Sequence, residues 1–279
     1  MPAFVSRLDV NSDAYQKNRS EQLENIELLR QLQARAKAAS EKRRPRFEER
    51  GQLTPRDRLA RLLDVGMPFV ELFNLASYCV DDPNRETSLP GASILAGIGY
   101  ISGVRSMICV DDSGINAGAA TERGFDKLTA CIQIAISNKL PFIHLVESAG
   151  ANLMAYKIEG WAYAGRVFYS LAKASAAGVP TFTILHGPST AGGAYMPGMS
   201  DYNVGVKNNG MAALGGAALV QAATGEIADE RELGGTEMHA SVSGLMEHLA
   251  EDDADGIHKM RELVGRLGWN SHCPPTPQR

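Results

Sequence analysis

Apolar positions follow two different rhythms along this chain. From about Ser20 to Arg61 they are sparse, and Leu23, Ile26, Leu29 and Leu32 recur at near-helical spacing among Glu, Gln, Ala and Arg. Residues three and four apart share one face of a helix, so this segment is expected to form an amphipathic helical lead-in. Gly51 should break it. Thr54-Pro55-Arg56-Asp57 then supplies a hydroxyl cap, a first-turn proline and an acid at the third helical position, which predicts a second short helix running to Asp64.

The centre of the chain alternates short apolar runs with longer helical ones, the pattern of an α/β fold. Ile94 to Tyr100 and Val104 to Val110 read as a hairpin turning at Ser102-Gly103. A helix over Glu122 to Asn138 leads into a strand over Pro141 to Glu147, and a helix over Trp161 to Ala177 into a strand over Pro180 to His186. Each of these strands ends in a run of small residues, Ser148-Ala149-Gly150-Ala151 after the first and Gly187 to Ala194 after the second. Ligand sites in α/β folds gather at such strand ends. The expected organisation is a helical extension over residues 1–64, one α/β domain over 65–268 and a proline-rich linker end over 269–279.

Composition narrows the function classes. With 279 residues, 44% of them hydrophobic, the chain can bury a sizeable core. A net charge of -4 with 22% charged residues argues against a nucleic-acid surface, and a small-molecule role is expected. One local exception stands out: between Arg30 and Arg61 there are eleven Lys or Arg against four Asp or Glu. That excess is either a solvated helix face or a set of contacts to the phosphates of a nucleotide-like ligand. Cys79, Cys109, Cys131 and Cys273 form no CxxC pair and no dense framework, which suits reduced thiols in a cytoplasmic protein. The start has no apolar leader segment, and no run approaches the ~18 apolar residues of a membrane span.

Several motifs invite chemistry and are set aside on their spacing. Gly97-Ile98-Gly99 is followed by a third glycine, Gly103, one residue late for a dinucleotide fingerprint, and the segment alternates as a strand. Ser189 follows a strand, but GPSTAGG is not GxSxG and no His or acid is assigned to it. His144, His186, His239, His248, His258 and His272 form no HExxH-like pair, so no metal site is expected. The loop Gly187 to Met199, GPSTAGGAYMPGM, carries no Asp, Glu, Lys, Arg, Cys or His. Two adjacent glycines opening a helix there would leave bare N–H groups where negative charge is welcome, as in an oxyanion hole; alternatively they permit close helix-to-sheet packing.

Read in order, Leu53 to Asp64 (LTPRDRLARLLD), Gly97 to Gly103, Asp112 to Ala119 (DSGINAGA), Leu145 to Ala151 (LVESAGA), Gly187 to Pro197, Gly215 to Gly225 (GGAALVQAATG) and Leu233 to His248 (LGGTEMHASVSGLMEH) resemble successive blocks of the carboxyltransferase (β) subunits of biotin-dependent acyl-CoA carboxylases. Gly165-Arg-Val-Phe-Tyr169 and TAGGAYMPGMSD resemble the methylcrotonyl- and geranyl-CoA types in particular. The resemblance runs from roughly residue 20 to 270, over what would be the N-terminal half of such a subunit.

What the resemblance implies is a crotonase-like spiral of ββα units that binds coenzyme A thioesters. It assigns a backbone oxyanion hole for an acyl-CoA enolate to Gly192 and Gly193, and a CoA and acyl pocket to Asn116, Ala117, Gly118 and Ala119 together with Ala149, Gly150, Ala151 and Asn152. Family members commonly carry Gly-Gly in both pocket loops; Ala117-Gly118 and Ala149-Gly150 here should narrow the pocket or restrict positive φ. No cofactor is expected to be covalently bound, since the chain has no Met-Lys-Met biotinylation motif; biotin would come from a partner carrier. Implied partners are a biotin carboxylase or biotin carrier subunit and a second carboxyltransferase half or a homo-oligomer. Two other functions fit the same blocks. A crotonase-type decarboxylase or hydratase would need a carboxylate beside the glycines, with Glu147 and Glu122 as candidates; a non-catalytic CoA-binding assembly half would need none.

Overall fold

The structure, a computed structural model, describes residues 5–150 and 158–272. The lead-in folds as three helices. α1 (Asp13–Glu41) starts upstream of the expected point because Ser12 accepts a hydrogen bond from the Tyr15 N–H and caps it. α2 (Arg44–Glu49) follows a break at Lys42–Arg43, a step that the continuous charged pattern hides. Gly51, at φ 66°, separates it from α3 (Pro55–Leu62), where Thr54 Oγ1 accepts from the Asp57 N–H at 3.2 Å and Pro55 occupies the first turn, as the sequence predicts. Only Leu32, Ala36 and Ser40 of α1 are buried, whereas Leu59 and Leu62 of α3 join the core.

The eight-stranded sheet comprises β1 (Val70–Glu71), β2 (Ile94–Ile101), β3 (Val104–Asp111), β4 (Phe142–Ser148), β5 (Thr181–Thr190), β6 (Tyr202–Val206), β7 (Met211–Ala213) and β8 (His248–Ala250), in the order β1-β2-β3-β4-β5-β6-β8 with β7 pairing on β5. β1 to β3 are antiparallel; the remaining pairs are parallel. The β2–β3 hairpin turns at Ser102 (φ 49°) and Gly103 (φ 79°), the two positive-φ residues of a twist-matched tight turn. Asp64 holds that turn by accepting both N–H groups, at 2.8 and 2.6 Å.

Between β3 and β4 lies α4 (Glu122–Asn138), with the bounds expected, capped by Thr121 accepting from the Gly124 N–H at 3.1 Å. α5 (Ile158–Ala176) joins β4 to β5. After β5 come the short helices α6 (Tyr195–Gly198), α7 (Ala217–Thr224), α8 (Glu230–Gly234) and α9 (Thr236–Met238), and then α10 (Asp253–Arg266).

Alternation along the strands sorts the core into two layers. Met107, Cys109, Phe142 and Val146 pack with Leu128, Cys131 and Ile132 of α4 and Val167 and Leu171 of α5. Ile108, Val110, Ile143, Leu145, Phe182 and Ile184 point the other way, onto Leu59 and Leu62 of α3 and Ile257, Met260 and Val264 of α10. A parallel sheet covered on both faces requires near-continuous apolar strands, and β4 is buried at every position. Any charge placed in β4 or β5 must therefore be compensated inside the protein.

β5 extends four residues past the expected end at His186. Its last residues, Pro188 to Thr190, pair with Met211 to Ala213 of β7, a contact 20-odd residues away along the chain that outweighs the local Gly-Pro signal.

Candidate functional site

Three small-residue segments meet at the C-terminal ends of β3, β4 and β5. The first is the 3-10 turn Asn116–Gly118. The second is the end of β4 and the residues after it, Ser148 to Gly150. The third is the end of β5 with the 3-10 turn Ala191–Ala194. Backbone and hydroxyl groups knit them together. Ala149 N–H donates to the Ala117 carbonyl at 3.0 Å, Ala120 N–H to the Gly150 carbonyl at 2.9 Å, and Ser148 Oγ to the Gly118 carbonyl at 2.7 Å. The Thr190 hydroxyl reaches the Ala149 carbonyl at 3.4 Å.

Glycine is a packing requirement at this junction. A Cβ on Gly118 (φ +68°) would sit 2.4 Å from the Glu147 carbonyl oxygen, and one on Gly150 (φ +80°) 3.1 Å from that of Thr190. The expectation that alanine would restrict positive φ is corrected at Ala117, which lies in the left-handed region at φ 53°, ψ 29°, and so does Asn116 at φ 49°. Holding non-glycine residues there costs of order 1–3 kcal/mol each, which the surrounding hydrogen bonds must offset. Ala119 follows in extended backbone, while Ala151 and Asn152 lie outside the described residues.

Gly192 and Gly193 occupy the Ala191–Ala194 turn, and the helix after it is the single turn α6 rather than a long one. The N–H groups opening such a segment lack intrahelical acceptors. A Cβ on Gly193 would meet Ser189 Oγ at 2.6 Å, so a larger residue there requires the serine hydroxyl to move; the nearest atom to one on Gly192 belongs to the Phe168 ring, at 3.6 Å. Ser189 itself is fully buried and its Oγ has no hydrogen-bond partner among the described residues, so no histidine is positioned to activate it.

The basic lead-in arrives at the same place. Arg43, Arg46 and Arg50, together with Gln52, line a cavity of about 90 Å³ whose other walls include Ala117, Ser148, Ala149 and Pro188. All three arginines are exposed and none forms an ion pair among the described residues. Their neighbour Arg44 is by contrast taken up by Glu41 and by Asp57 at 2.8 Å. The cluster can therefore meet an anion above the small-residue loops. A larger cavity of about 600 Å³, lined mostly by Asn208 to Met211 and Ile227 to Arg231, shares Pro188 with it.

Beneath the loops lies a charge network that sequence spacing does not disclose. Arg58, 1% exposed, donates from Nη1 to Glu147 at 2.5 Å and from Nε to Asp253 at 2.7 Å; Asp253 also accepts from His186 Nδ1 at 2.7 Å and from the Leu53 N–H at 2.8 Å. Burial pushes the Asp253 carboxyl up, but His186 and Arg58 more than offset this and hold it well below the usual carboxylate range. Burial lowers the His186 pKa by more than the Asp253 carboxylate raises it, so His186 holds its proton more weakly than a solvent-exposed histidine does. On the opposite face Asp111 pairs with His144 at 3.0 Å. The one available signal was a titratable residue inside an otherwise apolar strand, as in PFIHLVE and TFTILHG.

Of the two carboxylates a hydratase-like reading would need, Glu147 is thus committed to Arg58, and Glu122 is a half-exposed residue beside Arg123 at 3.1 Å. Among the described residues no group of three or more His, Cys, Asp or Glu could hold a metal ion, and no helix is long and apolar enough to cross a membrane.

A mostly parallel, crotonase-like α/β sheet with a helical N-terminus and glycine loops at its strand ends defines a carboxyltransferase fold. The chain belongs to the carboxyl transferase domain family, whose model matches residues 46–279. It is 41% identical over 98% of its length to a probable biotin-dependent acyl-coenzyme A carboxylase beta2 subunit of Mycobacterium tuberculosis, covering 50% of that protein. It is 40% identical over 90% of its length to the biotin-dependent 3-methylcrotonyl-coenzyme A carboxylase beta1 subunit of the same organism, covering 46% of it. Among solved structures, the beta subunit of P. aeruginosa geranyl-CoA carboxylase matches all of the chain at 45% identity with a TM-score of 0.89, over 51% of that subunit. The chain spans about half the length of the relatives it matches.

Proposed function

We propose that this chain is the acyl-CoA-binding half of a carboxyltransferase, a helical extension over residues 1–64 followed by one crotonase-like domain over 65–268. The observation that carries this reading is the meeting of three unpaired arginines with Ala117, Ser148, Ala149 and Pro188 over one cavity. Arg43, Arg46 and Arg50 receive the phosphates of coenzyme A, and Asn116 to Ala119 with Ala149 to Asn152 hold the pantetheine arm and acyl group.

The thioester oxygen then lies against the Gly192 and Gly193 N–H groups. Removal of a proton from the α carbon of a saturated acyl group, or from the γ carbon of an α,β-unsaturated one, moves charge onto that oxygen, and donors already in place stabilise the enolate or dienolate without reorganising. A loop free of acidic and basic side chains suits this role, because it neither quenches the enolate nor competes for the proton. Carboxylated biotin, delivered by a partner, would supply both the CO2 and the proton acceptor. The partners are accordingly a biotin carboxylase or biotin carrier subunit and a second carboxyltransferase half, from another chain or another copy of this one, in the cytoplasm. The substrate is a short or branched acyl-CoA, as the names of the methylcrotonyl- and geranyl-type relatives suggest.

Calorimetry with acetyl-, propionyl-, methylcrotonyl- and geranyl-CoA tests the binding step, and at least one should bind. Silence with all of them overturns the assignment. Transcarboxylation from carboxybiotin, measured before and after adding a protein that supplies the second half, tests the division of labour: activity should depend on the addition.

A further inference from the structure

The two halves of the candidate site are offset by an irregularity in the sheet. β4 and β5 pair in register from Phe142–Thr181 to Val146–Leu185, but the next pair is Ser148–Ser189, so His186, Gly187 and Pro188 stand opposite Glu147 alone. This bulge pushes Ser189 to Gly193 along the sheet relative to Ser148 to Gly150. A Cβ on Gly187 would come within 2.5 Å of Glu147 Cγ, so the bulge exists only because the glycine leaves room for the Glu147 side chain.

Both sides of the bulge are tied to one guanidinium. Arg58 holds Glu147 directly at 2.5 Å and holds His186 through Asp253, with bonds of 2.7 Å on either side of that carboxylate. Gln52 adds a second strut, donating from Nε2 to the His186 carbonyl at 2.8 Å. The side chains of Arg58, Glu147, His186 and Asp253 are all at least nine-tenths buried, so solvent does not loosen these bonds. From the same lead-in, Arg43, Arg46 and Arg50 reach the cavity above.

We propose that Arg58 is a positioning residue which, by clasping the bulge between β4 and β5, sets the spacing between the Ser148–Gly150 loop and the Gly192–Gly193 turn. It meets the cavity lining through Glu147 and through the Phe47 ring, whose centroid lies 5.8 Å from the guanidinium carbon. As a positioning role, this rests on the reading of those two loops as the two sides of one acyl-CoA site.

The test is hydrogen exchange on the full chain carrying Arg58→Lys, which keeps the charge but cannot span both carboxylates as the fork does. Should that variant fail to fold, Arg58→Gln combined with Glu147→Gln and Asp253→Asn, which leaves no buried carboxylate without the Arg58 cation, replaces it. Exchange over residues 148–150 and 187–194 should rise about tenfold or more while α4 is unchanged. In the assembled enzyme kcat should fall on the order of 10²-fold with KM for acyl-CoA nearly unchanged, as expected when groups are misplaced rather than removed. Uniform acceleration across the chain would reduce Arg58 to general stability and overturn the proposal, as would unchanged exchange in both loops. Local acceleration with undiminished kcat would leave the clasp standing and refute the reading of these loops as the reaction site.

Discussion

Consecutive helices of the lead-in use arginine in opposite ways. Around α2, Arg43, Arg46 and Arg50 are exposed and without ion-pair partners among the described residues; in α3, Arg58 is buried and bound to two carboxylates. A charge in the interior must be matched, since removing one partner strands the other in a medium that cannot solvate it. A charge left unmatched over a cavity is available to a ligand. The difference separates what holds this fold together from what it can bind, although both come from one basic stretch of sequence.

The sharpest way to break the contrast is Arg58→Met, which leaves Glu147 and Asp253 buried without their cation. It should cost about 3–5 kcal/mol in chemical denaturation; a loss below about 1 kcal/mol would mean that water reaches the network. Next in size, Gly193→Pro in a Ser189→Ala background, where the added Cβ meets no hydroxyl, removes an N–H donor from the Ala191–Ala194 turn. Turnover of the assembled enzyme should fall by about 10²- to 10³-fold, with substrate affinity falling less. Near-normal turnover by the folded variant would move the oxyanion role elsewhere.

Arg46→Ala, and likewise Arg43→Ala or Arg50→Ala, should leave stability within about 0.5 kcal/mol. Each should weaken CoA binding by about tenfold in calorimetry at low salt, where a charge-assisted contact to phosphate counts most, and by less at high salt. Equal losses of stability would erase the distinction from Arg58. The smallest effect is on pH dependence. Because folded His186 binds its proton more weakly than an unfolded histidine, the stability it contributes is present above about pH 6.5 and is lost as pH falls below it. Asp253, also depressed, contributes a second loss that begins below about pH 4. Denaturation midpoints should show the first decline in the parent chain and not in His186→Gln.

How far sequence reached into this molecule follows from where the determining contacts lie. α4 was legible to its ends because Thr121, the apolar spacing and the termination before Pro141 are all local. The β2–β3 turn was legible for the same reason. The end of β5 was not, since Gly187 and Pro188 argue locally against a strand and only pairing with β7 keeps them in one. The positions of Ala117, Gly118, Ala149 and Gly150 could be proposed from sequence, and hydrogen bonds join their two loops. What could not be foreseen was that Ala117 accepts a left-handed backbone, a property of its hydrogen-bonded surroundings. Nor could the Arg58 network be assembled, because its members stand at positions 58, 147, 186 and 253 and no spacing rule connects them.

The most direct measurement is an experimental structure of this chain with a non-reactive acyl-CoA analogue. Phosphates should lie within reach of Arg43, Arg46 and Arg50, the pantetheine arm against the joined Ala117 and Ala149 loops, and the thioester oxygen within hydrogen-bond distance of the Gly192 or Gly193 N–H. An analogue seated in the larger cavity beside Asn208 and Asp229, with its thioester remote from both glycines, would contradict it.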